Sequence, residues 1–561
     1  MSSRRWYCIG LIALAQGCRE PARPEEPRDR VDLRDAARFI QTGCTKVWSG
    51  GSGNWSSVTA WSPWGVPGPS DVACILAPSG TMVTVQSTVD IPELVIGNGL
   101  NDVRVVCNAG TGSVRPVRLW VRTAATLDVR NCVGWGTLQS ELVDVEGTLR
   151  VGAVPISPDS LVVSGVLELT GATATSSWLQ LHGTSEVQVT GSSLLYLNGG
   201  GHGIFSDVTG TGSVTVRGAS AGSVLYGGGS APVRAAGTAA GIKFQDVQLT
   251  LMNSPQGSVD FEVALPGSSI TGTPRAGLDL RLHGQDSVRW NGGVQTNEGT
   301  VTVYAPRFTG RAIVNRGVLA FAPSATRLDL DSLVNEPAGQ VQVNGTLSFN
   351  RWGGVWRNAG QTTVSAAGEL RIEGATFVAD GAAAHTGTLR LTNSALLTGA
   401  GVVGDVTIDS GHVSPGTLQQ PRATLSVGRL SMGPGATALL DVAGDSAGTY
   451  DGLTVRGNLQ AGGTLDVRTI APFLGGRCGQ VIPLIKVLGS RSGNWLRTTG
   501  LSLASDRAWR LAGQASGWWL TGADPQRALG TSVSSLALAE GGSAGVVYQC
   551  LGRRPTATVT V

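Results

Sequence analysis

The fold is decided by four short alternating stretches: Thr126 to Arg130 (TLDVR), Thr148 to Gly152 (TLRVG), Val166 to Thr170 (VLELT) and Glu186 to Thr190 (EVQVT). Successive stretches begin about 20 residues apart, which is a period typical of repeat folds. An apolar residue at every second position gives each strand one inward side. Units of this length cannot close a core alone, but they can do so when they stack as coils. We therefore predict an all-β fold, a right-handed parallel β-helix (β-solenoid).

Asparagines mark the same period further along the chain. Asn297, Asn315, Asn335 and Asn358 recur at nearly the same spacing, and we interpret them as turn residues between strands. Sandwich and propeller folds also use short strands. We rank them lower because two-residue hairpin turns are rare and no Trp-Asp blade signature recurs in the sequence.

The composition limits the classes of function. The chain has 561 residues, 81 of them Gly, and only 14% charged and 5% aromatic residues, as expected for an all-β chain rich in turns. Its formal net charge of +3 and its scattered arginines argue against a nucleic-acid partner. No later apolar run approaches the roughly 20 residues that span a bilayer. We therefore expect membrane attachment through the N-terminus only.

The N-terminus has the pattern of an export signal. Arg4 and Arg5 precede an apolar run from Trp6 to Ala15. The stretch that ends at Cys18 (LAQGC) resembles a bacterial lipobox, which implies a signal of residues 1–18 and a lipid on Cys18. The alternative is ordinary cleavage after Ala15. Residues 19–45, rich in Pro and charged residues, are predicted to be a disordered tether.

Two tryptophan-rich segments flank the repeats. Residues 46–95 and 471–561 are predicted to cap the two ends of a solenoid of residues 96–470, because an open stack exposes strand edges. The N-terminal cap holds four tryptophans that are alternatively a stacking platform for sugar rings, a role that requires exposed rings. These are Trp48, Trp55, Trp61 and Trp64.

Two groups of motifs resemble a known family. The run from Val47 to Trp55 (VWSGGSGNW) resembles the opening module of bacterial surface β-helix proteins. Tyr450 to Val455 (YDGLTV) and Gly462 to Val467 (GGTLDV) resemble the C-terminal repeats of autotransporter adhesin passenger domains. The resemblance implies an extracellular β-helix but no particular chemistry. Autotransporters end in a translocator barrel of about twelve strands; we expect none here, and we expect the lipid anchor to replace it.

The cysteines suggest an oxidising compartment. Beyond Cys18, six remain, an even number, and they allow 15 pairings. Cys107 and Cys132 are about one coil apart in the sequence, so we predict that they join adjacent coils. By the same hypothesis one disulfide pins each cap. The predicted pairs are Cys44 with Cys74 and Cys478 with Cys550.

Candidate catalytic and metal sites are weak in this sequence. Asp441, Asp445 and Asp451 form the closest group of carboxylates, and a turn-forming role is favoured over catalysis. His182 and His202 lie about one coil apart in the sequence, and His385 and His412 lie somewhat further apart. A shared metal is one reading, but we favour ordinary turn or surface histidines because no further ligand has suitable spacing. We expect no metal and no cofactor.

Adhesion is therefore the predicted function. We expect a secreted, non-catalytic surface protein, an outer-membrane lipoprotein or a freely secreted one, that presents a repetitive face to polysaccharide or other cell-surface ligands. The alternatives are a carbohydrate-active β-helix enzyme, either a polysaccharide lyase or a glycoside hydrolase, and a passive scaffold. A flat face of Thr, Ser, Asn and Arg would favour the adhesin. Three or more acidic or basic side chains converging on one concave strip would favour the enzyme.

Overall fold

A computed structural model describes most of the chain between residues 43 and 523. The described residues are 43–108, 112–132, 138, 140–153, 155–182, 185–198, 202–204, 207–210, 213–226, 241–251, 257–263, 268–380, 385–417, 420–475, 480–504, 507–514 and 516–523. The predicted signal, Cys18 and most of the predicted tether lie outside them, as do Cys478 and Cys550.

The described chain is nearly all β-structure and forms a β-solenoid, which confirms the predicted fold class. Most strands pair in parallel with strands one coil before and after, as in the series from Val72 to Trp178. The repeat seen in the sequence is confirmed residue by residue. Thr126 pairs with Thr148, Thr148 with Val166, and Val166 with Glu186.

Each coil has up to three sides, and the strands of successive coils stack into three faces. Face 1 runs through the whole solenoid. Its strands are Lys46–Trp48, Val72–Ile75, Leu142–Val145, Ser160–Val163, Trp178–Leu181, His202–Ile204, Ser269–Thr271, Arg327–Asp329, Thr346–Phe349, Glu369–Glu373, Thr388–Thr392, Asp405–Ile408, Leu430–Met432, Leu459–Ala461 and Arg491–Gly493.

Face 2 follows face 1 in each coil and has two blocks. The first block is Gly53–Asn54, Thr81–Val85, Val103–Cys107, Thr126–Asp128, Thr148–Val151, Val166–Thr170, Glu186–Thr190 and Asp207–Gly210. The second block is Ser332–Asn335, Val355–Asn358, Thr376–Ala379, Leu396–Gly399, His412–Pro415, Thr437–Val442, Thr464–Thr469 and Arg497–Thr499.

Face 3 closes the coil. Its strands are Thr173–Ser176, Ser192–Leu197, Gly257–Val263, Leu278–Gly284, Thr300–Val303, Val318–Phe321, Gln340–Val343, Gln361–Val364, His385–Thr386, Val402–Val403, Thr424–Val427, Gly452–Val455 and Val481–Val487. Longer strands turn a corner between faces. Thr88–Ile96, Ser113–Val121, Ser213–Tyr226 and Gly241–Leu251 join face 3 to face 1, and Ser287–Asn297 and Arg307–Asn315 join face 1 to face 2.

The core is built from the inward residues of all three faces. In Thr346–Phe349, for example, Leu347 and Phe349 are buried, whereas Thr346 and Ser348 are partly exposed on the outside. Burying one such apolar side chain contributes roughly 1.5–3 kcal/mol. Because the strands stack in register, inward residues of one coil lie on those of the next, and the core is continuous along the axis.

Both ends of the described solenoid carry structure that departs from the parallel stack. At the first coil, Trp61–Ser62 pairs antiparallel with Lys46–Trp48. At the last coil, Gly517–Ala523 pairs antiparallel with Val481–Val487, and Arg507–Gln514 and Ser502–Ala504 extend that sheet. These strands cover edges that would otherwise be open to another chain.

The four periodic asparagines are not turn residues, and that prediction was wrong. Each is the last residue of a strand, each is buried, and neighbours are register partners. The Nδ2 atoms of Asn297, Asn315 and Asn335 donate to the Oδ1 of the next asparagine at 2.8, 2.8 and 2.7 Å, and the hydroxyl of Thr362 donates to Asn358 Oδ1 at 2.9 Å. The second Nδ2 proton of each donor asparagine goes to a backbone carbonyl, so these buried amide groups are satisfied.

Replacing the middle asparagine should destabilise the solenoid. Asn315→Ala removes the donor to Asn335 Oδ1 inside the core and should cost about 2 kcal/mol of stability. Asn344→Ala is the matched control, because Asn344 is exposed. Thermal denaturation should give a clearly lower midpoint for Asn315→Ala than for Asn344→Ala. Equal midpoints would contradict a stabilising role of the hydrogen bonds between the asparagines.

Two disulfides join neighbouring coils near the N-terminal end. Cys44 pairs with Cys74 and Cys107 with Cys132, with Cα–Cα distances of 5.9 and 5.0 Å. Both pairs were predicted from the sequence. The first joins the chain just before Lys46–Trp48 to the adjacent strand of face 1. The predicted third pair lies outside the described residues.

Peptide mapping of the oxidised chain should recover these two linkages. Removing the second one with Cys107→Ala and Cys132→Ala together should cost about 3 kcal/mol, because a loop of this length is no longer closed in the unfolded chain. The midpoint of chemical denaturation without reductant measures the loss. Recovery of Cys107 joined to any other cysteine would overturn the assignment.

Candidate functional site

Three of the four N-terminal tryptophans are buried in one cluster and one is exposed. Trp48, Trp55 and Trp61 are buried, and Trp61 makes edge-on contacts with both others at ring-centre distances of 5.1 and 4.7 Å. Trp61 Nε1 donates to the Trp55 carbonyl oxygen at 2.9 Å. Buried rings have no face to offer a sugar, so the stacking hypothesis is wrong for these three. It remains open for Trp64, which is 79% exposed.

Two of the three candidate carboxylates accept hydrogen bonds within the fold. Asp451 is fully buried, and its two oxygens accept the N–H of Asp441 at 2.9 Å and of Ala423 at 3.3 Å. Burial raises the pKa of Asp451 to about 7. Asp445 accepts a hydrogen bond from the Gln480 amide. In the described part of the chain, no group of three or more His, Cys, Asp or Glu side chains is placed to hold a metal.

The two histidines of each candidate pair do not lie next to each other. Gln180 pairs with Gly203, so the register sets His202 opposite Leu179 and not opposite His182, and His202 Nδ1 accepts the N–H of Leu179 at 3.1 Å. His385 pairs with Thr362 on face 3, whereas His412 pairs with Leu396 on face 2. Neither spacing therefore makes a shared ligand site.

The outward side of face 1 presents a row of polar side chains. The register connects Arg307 to Arg327, on to Ser348, and then to Arg371, Arg390 and Thr407. We call these six residues the arginine row. Neighbours in the row are one coil apart, about 4.8 Å along the axis. The four guanidinium side chains are between 39% and 49% exposed.

Carboxylates hold the row in place. Asp329 contacts both Arg307 and Arg327, at 2.5 and 2.9 Å. Glu369 bonds Arg371 at 2.5 Å and lies 3.7 Å from Arg390, which also bonds Asp409 at 2.6 Å. Such pairs at the surface add little stability. They restrain the guanidinium groups, which remain partly exposed.

A groove opens beside the row, with an exposed tryptophan on its rim. We call it the Trp352 groove; its volume is about 470 Å³. Trp352 is 77% exposed, and Arg351 next to it bonds Asp331 at 2.8 Å. The lining residues are Arg307, Arg327, Asp329, Asp331, Asn350, Arg351, Trp352, Gly353 and Gly354.

The Trp352 ring rests on a glycine of the next coil. A Cβ built on Gly374 would lie 2.5 Å from Trp352 Cε3, so only glycine leaves room for the ring. Gly374 also has φ +65°, a conformation that favours glycine. The ring is therefore supported on one side while most of its surface stays exposed.

A second groove lies on face 3. We call it the His283 groove; its volume is about 400 Å³, and Lys243, Asp260, Glu262, His283, Gly284, Gln285 and Tyr304 line it. The His283 and Tyr304 rings are parallel with centres 4.6 Å apart. Lys243 forms an ion pair with Glu262, and His283 Nε2 lies 3.6 Å from Asp260 Oδ1. Acidic and basic side chains thus converge here.

Neither groove was predicted from the sequence. Trp352 is one of 15 tryptophans and stands in a short Asn-Arg-Trp-Gly-Gly segment. The signal available was a lone aromatic residue in a polar, glycine-rich turn between two clear strands. The arginine row had a clearer signal, because Arg307 and Arg327 lie about one coil apart in the sequence, and so do Arg371 and Arg390.

His385 should make the fold sensitive to acid. It is buried, neither ring nitrogen has a hydrogen-bond partner among the described residues, and burial lowers its pKa to about 4. In the unfolded chain the imidazole has a pKa near 6.5, so between about pH 6.5 and 4 it is protonated in the unfolded chain but neutral in the folded protein. The free energy of unfolding is therefore unaffected by this group above about pH 6.5 and decreases as the pH falls toward 4.

The substitution His385→Phe should remove that pH dependence. Melting midpoints of both chains between pH 4 and 7 should show a gap in favour of the variant that widens as the pH falls. A constant gap over the whole range would mean that His385 does not titrate in this window.

No protein-family model matches the chain, and no curated protein matches it. Nor does the described part contain a helix long and apolar enough to cross a membrane. The site geometry is therefore the basis for any functional conclusion.

Proposed function

We propose that this chain is a secreted, cell-surface β-solenoid that binds extracellular polysaccharide and does not catalyse a reaction. The observation that carries the proposal is the arginine row, a regular outward face of Arg, Ser and Thr on successive coils. An outward face of Arg, Ser and Thr is the type of face expected of an adhesin.

Binding along such a row would be shallow and repeated. Fixed guanidinium and hydroxyl groups donate hydrogen bonds to sugar hydroxyls, and each contact is weak. Because equivalent groups recur at each coil, one polymer chain would engage several at once, and the weak contacts would add up through effective concentration. The mechanism uses no cofactor, no metal and no nucleic acid.

The proposed location is the outer surface of the cell. Two disulfides between neighbouring coils support folding in an oxidising compartment. In this proposal the signal of residues 1–18 directs export, a lipid on Cys18 anchors the protein to the outer membrane, and residues 19–45 form the tether. Ordinary cleavage after Ala15 would give a freely secreted form instead.

A polysaccharide panel tests the proposal. The full chain, produced in an oxidising compartment, should bind at least one polymer saturably without releasing oligosaccharide. The double variant Arg371→Ala and Arg390→Ala should weaken that binding about tenfold. Arg468→Ala is the control, because Arg468 pairs with Asp466 on another face. No binding to any polymer would refute the proposal.

The His283 groove supports one second candidate, a lyase or hydrolase acting on polysaccharide. Lys243, Asp260, Glu262 and His283 bring acid and base groups together, which is what such chemistry needs. Product release from the same panel decides between the candidates. Oligosaccharides that appear with the natural chain, and not with His283→Ala or Asp260→Ala, would establish the enzyme.

A further inference from the structure

The Trp352 groove carries an inference that rests on the proposed function and narrows it. We propose that the groove is a binding site for an acidic sugar residue, whose ring packs on Trp352 and whose carboxylate bonds the guanidinium groups beside it. The ligand class is a polysaccharide that contains uronic acid.

The first step is the aromatic surface. An exposed tryptophan ring suits the apolar side of a pyranose, and stacking of this kind needs a ring held in place. Trp352 meets both conditions, because it is 77% exposed and its ring lies against Gly374. Next to it, Gly353 has nothing within 4 Å of a built Cβ, so that side of the groove is open.

The second step is the charge of the lining. Three arginines and two aspartates line the groove, which gives the lining a net charge of +1. Asp331 is taken by Arg351, and the single carboxylate of Asp329 is shared by Arg307 and Arg327. A planar guanidinium binds a carboxylate with two parallel hydrogen bonds, so the uncompensated charge favours a carboxylate on the ligand.

The third step is continuity with the arginine row. Arg307 and Arg327 belong to both the row and the groove, so a polymer that follows the row along face 1 reaches the groove at the turn that carries Trp352. The row then supplies repeated hydrogen bonds, and the groove fixes the position of one acidic unit. This division predicts that groove variants change selectivity more than they change attachment to neutral polymers.

The test compares each acidic polymer with a neutral copy of itself. Alginate, polygalacturonate and hyaluronate, and their carboxyl-reduced forms, are titrated against the full chain at low salt and at about 0.5 M salt, which screens exposed charges. We expect at least one acidic polymer to bind about tenfold more tightly than its reduced form, and we expect salt to remove most of that difference.

Four variants locate the effect. Trp352→Ala and Arg327→Ala should each weaken acidic binding about tenfold, whereas Trp352→Phe should keep most of it because a ring remains. Arg468→Ala matches Arg327→Ala, because each arginine bonds an aspartate two positions away in sequence. Unchanged circular dichroism and melting midpoints confirm that each variant folds.

The outcomes separate the two proposals. Polymers that bind equally well before and after carboxyl reduction, or binding that Trp352→Ala leaves intact, would overturn the acidic-sugar site and leave the adhesive function standing. Failure of every polymer to bind, acidic or reduced, would overturn both. Loss of acidic binding in Arg468→Ala to the same extent would show a general charge effect, and would also overturn the site.

Discussion

Register between coils is the constraint on which the rest of this structure depends. A parallel strand that pairs in register with its neighbour repeats inward residues over inward residues and outward over outward. A slip of one residue would turn every Leu and Val of that strand outward. The same rule that closes the core therefore places Arg327 next to Arg307 and Arg390 next to Arg371 on the surface. The register between strands thus determines both the buried core and the outward binding face.

Buried polar side chains strengthen that alignment. A row of aliphatic side chains tolerates small shifts between strands, because apolar contacts depend little on direction. A hydrogen bond between buried amides does not tolerate such shifts, because it is directional. From Asn297 to Asn358 each side chain bonds the next, and Thr362 ends the series. Next to Thr362 in the following coil stands His385, buried without a partner among the described residues. Satisfied polar groups in this core thus favour one register, and the unsatisfied His385 is expected to make the fold sensitive to acid.

The sequence predicted the features that repeat from coil to coil and missed those that occur once. The spacing from Thr126 to Glu186 predicted both the fold and the pairing, because inward residues must recur once per coil. The asparagine spacing was also visible, but asparagine favours turns in general, and only the packing places these four inside. Trp352 could not be found this way. The position of its ring depends on Gly374 in the next coil, and the local sequence around residue 352 gives no sign of that contact.

Cross-linking tests the register of the outward rows most directly. Thr407 and Ser431 are outward partners on adjacent coils of face 1, and Gln460 lies one coil further. Adjacent parallel strands bring such Cα atoms to a separation that a disulfide can bridge. The double variant Thr407→Cys and Ser431→Cys should therefore form an internal disulfide on mild oxidation, whereas Thr407→Cys with Gln460→Cys should not. Cross-linking of the second pair in place of the first would contradict the register, and with it the arginine row.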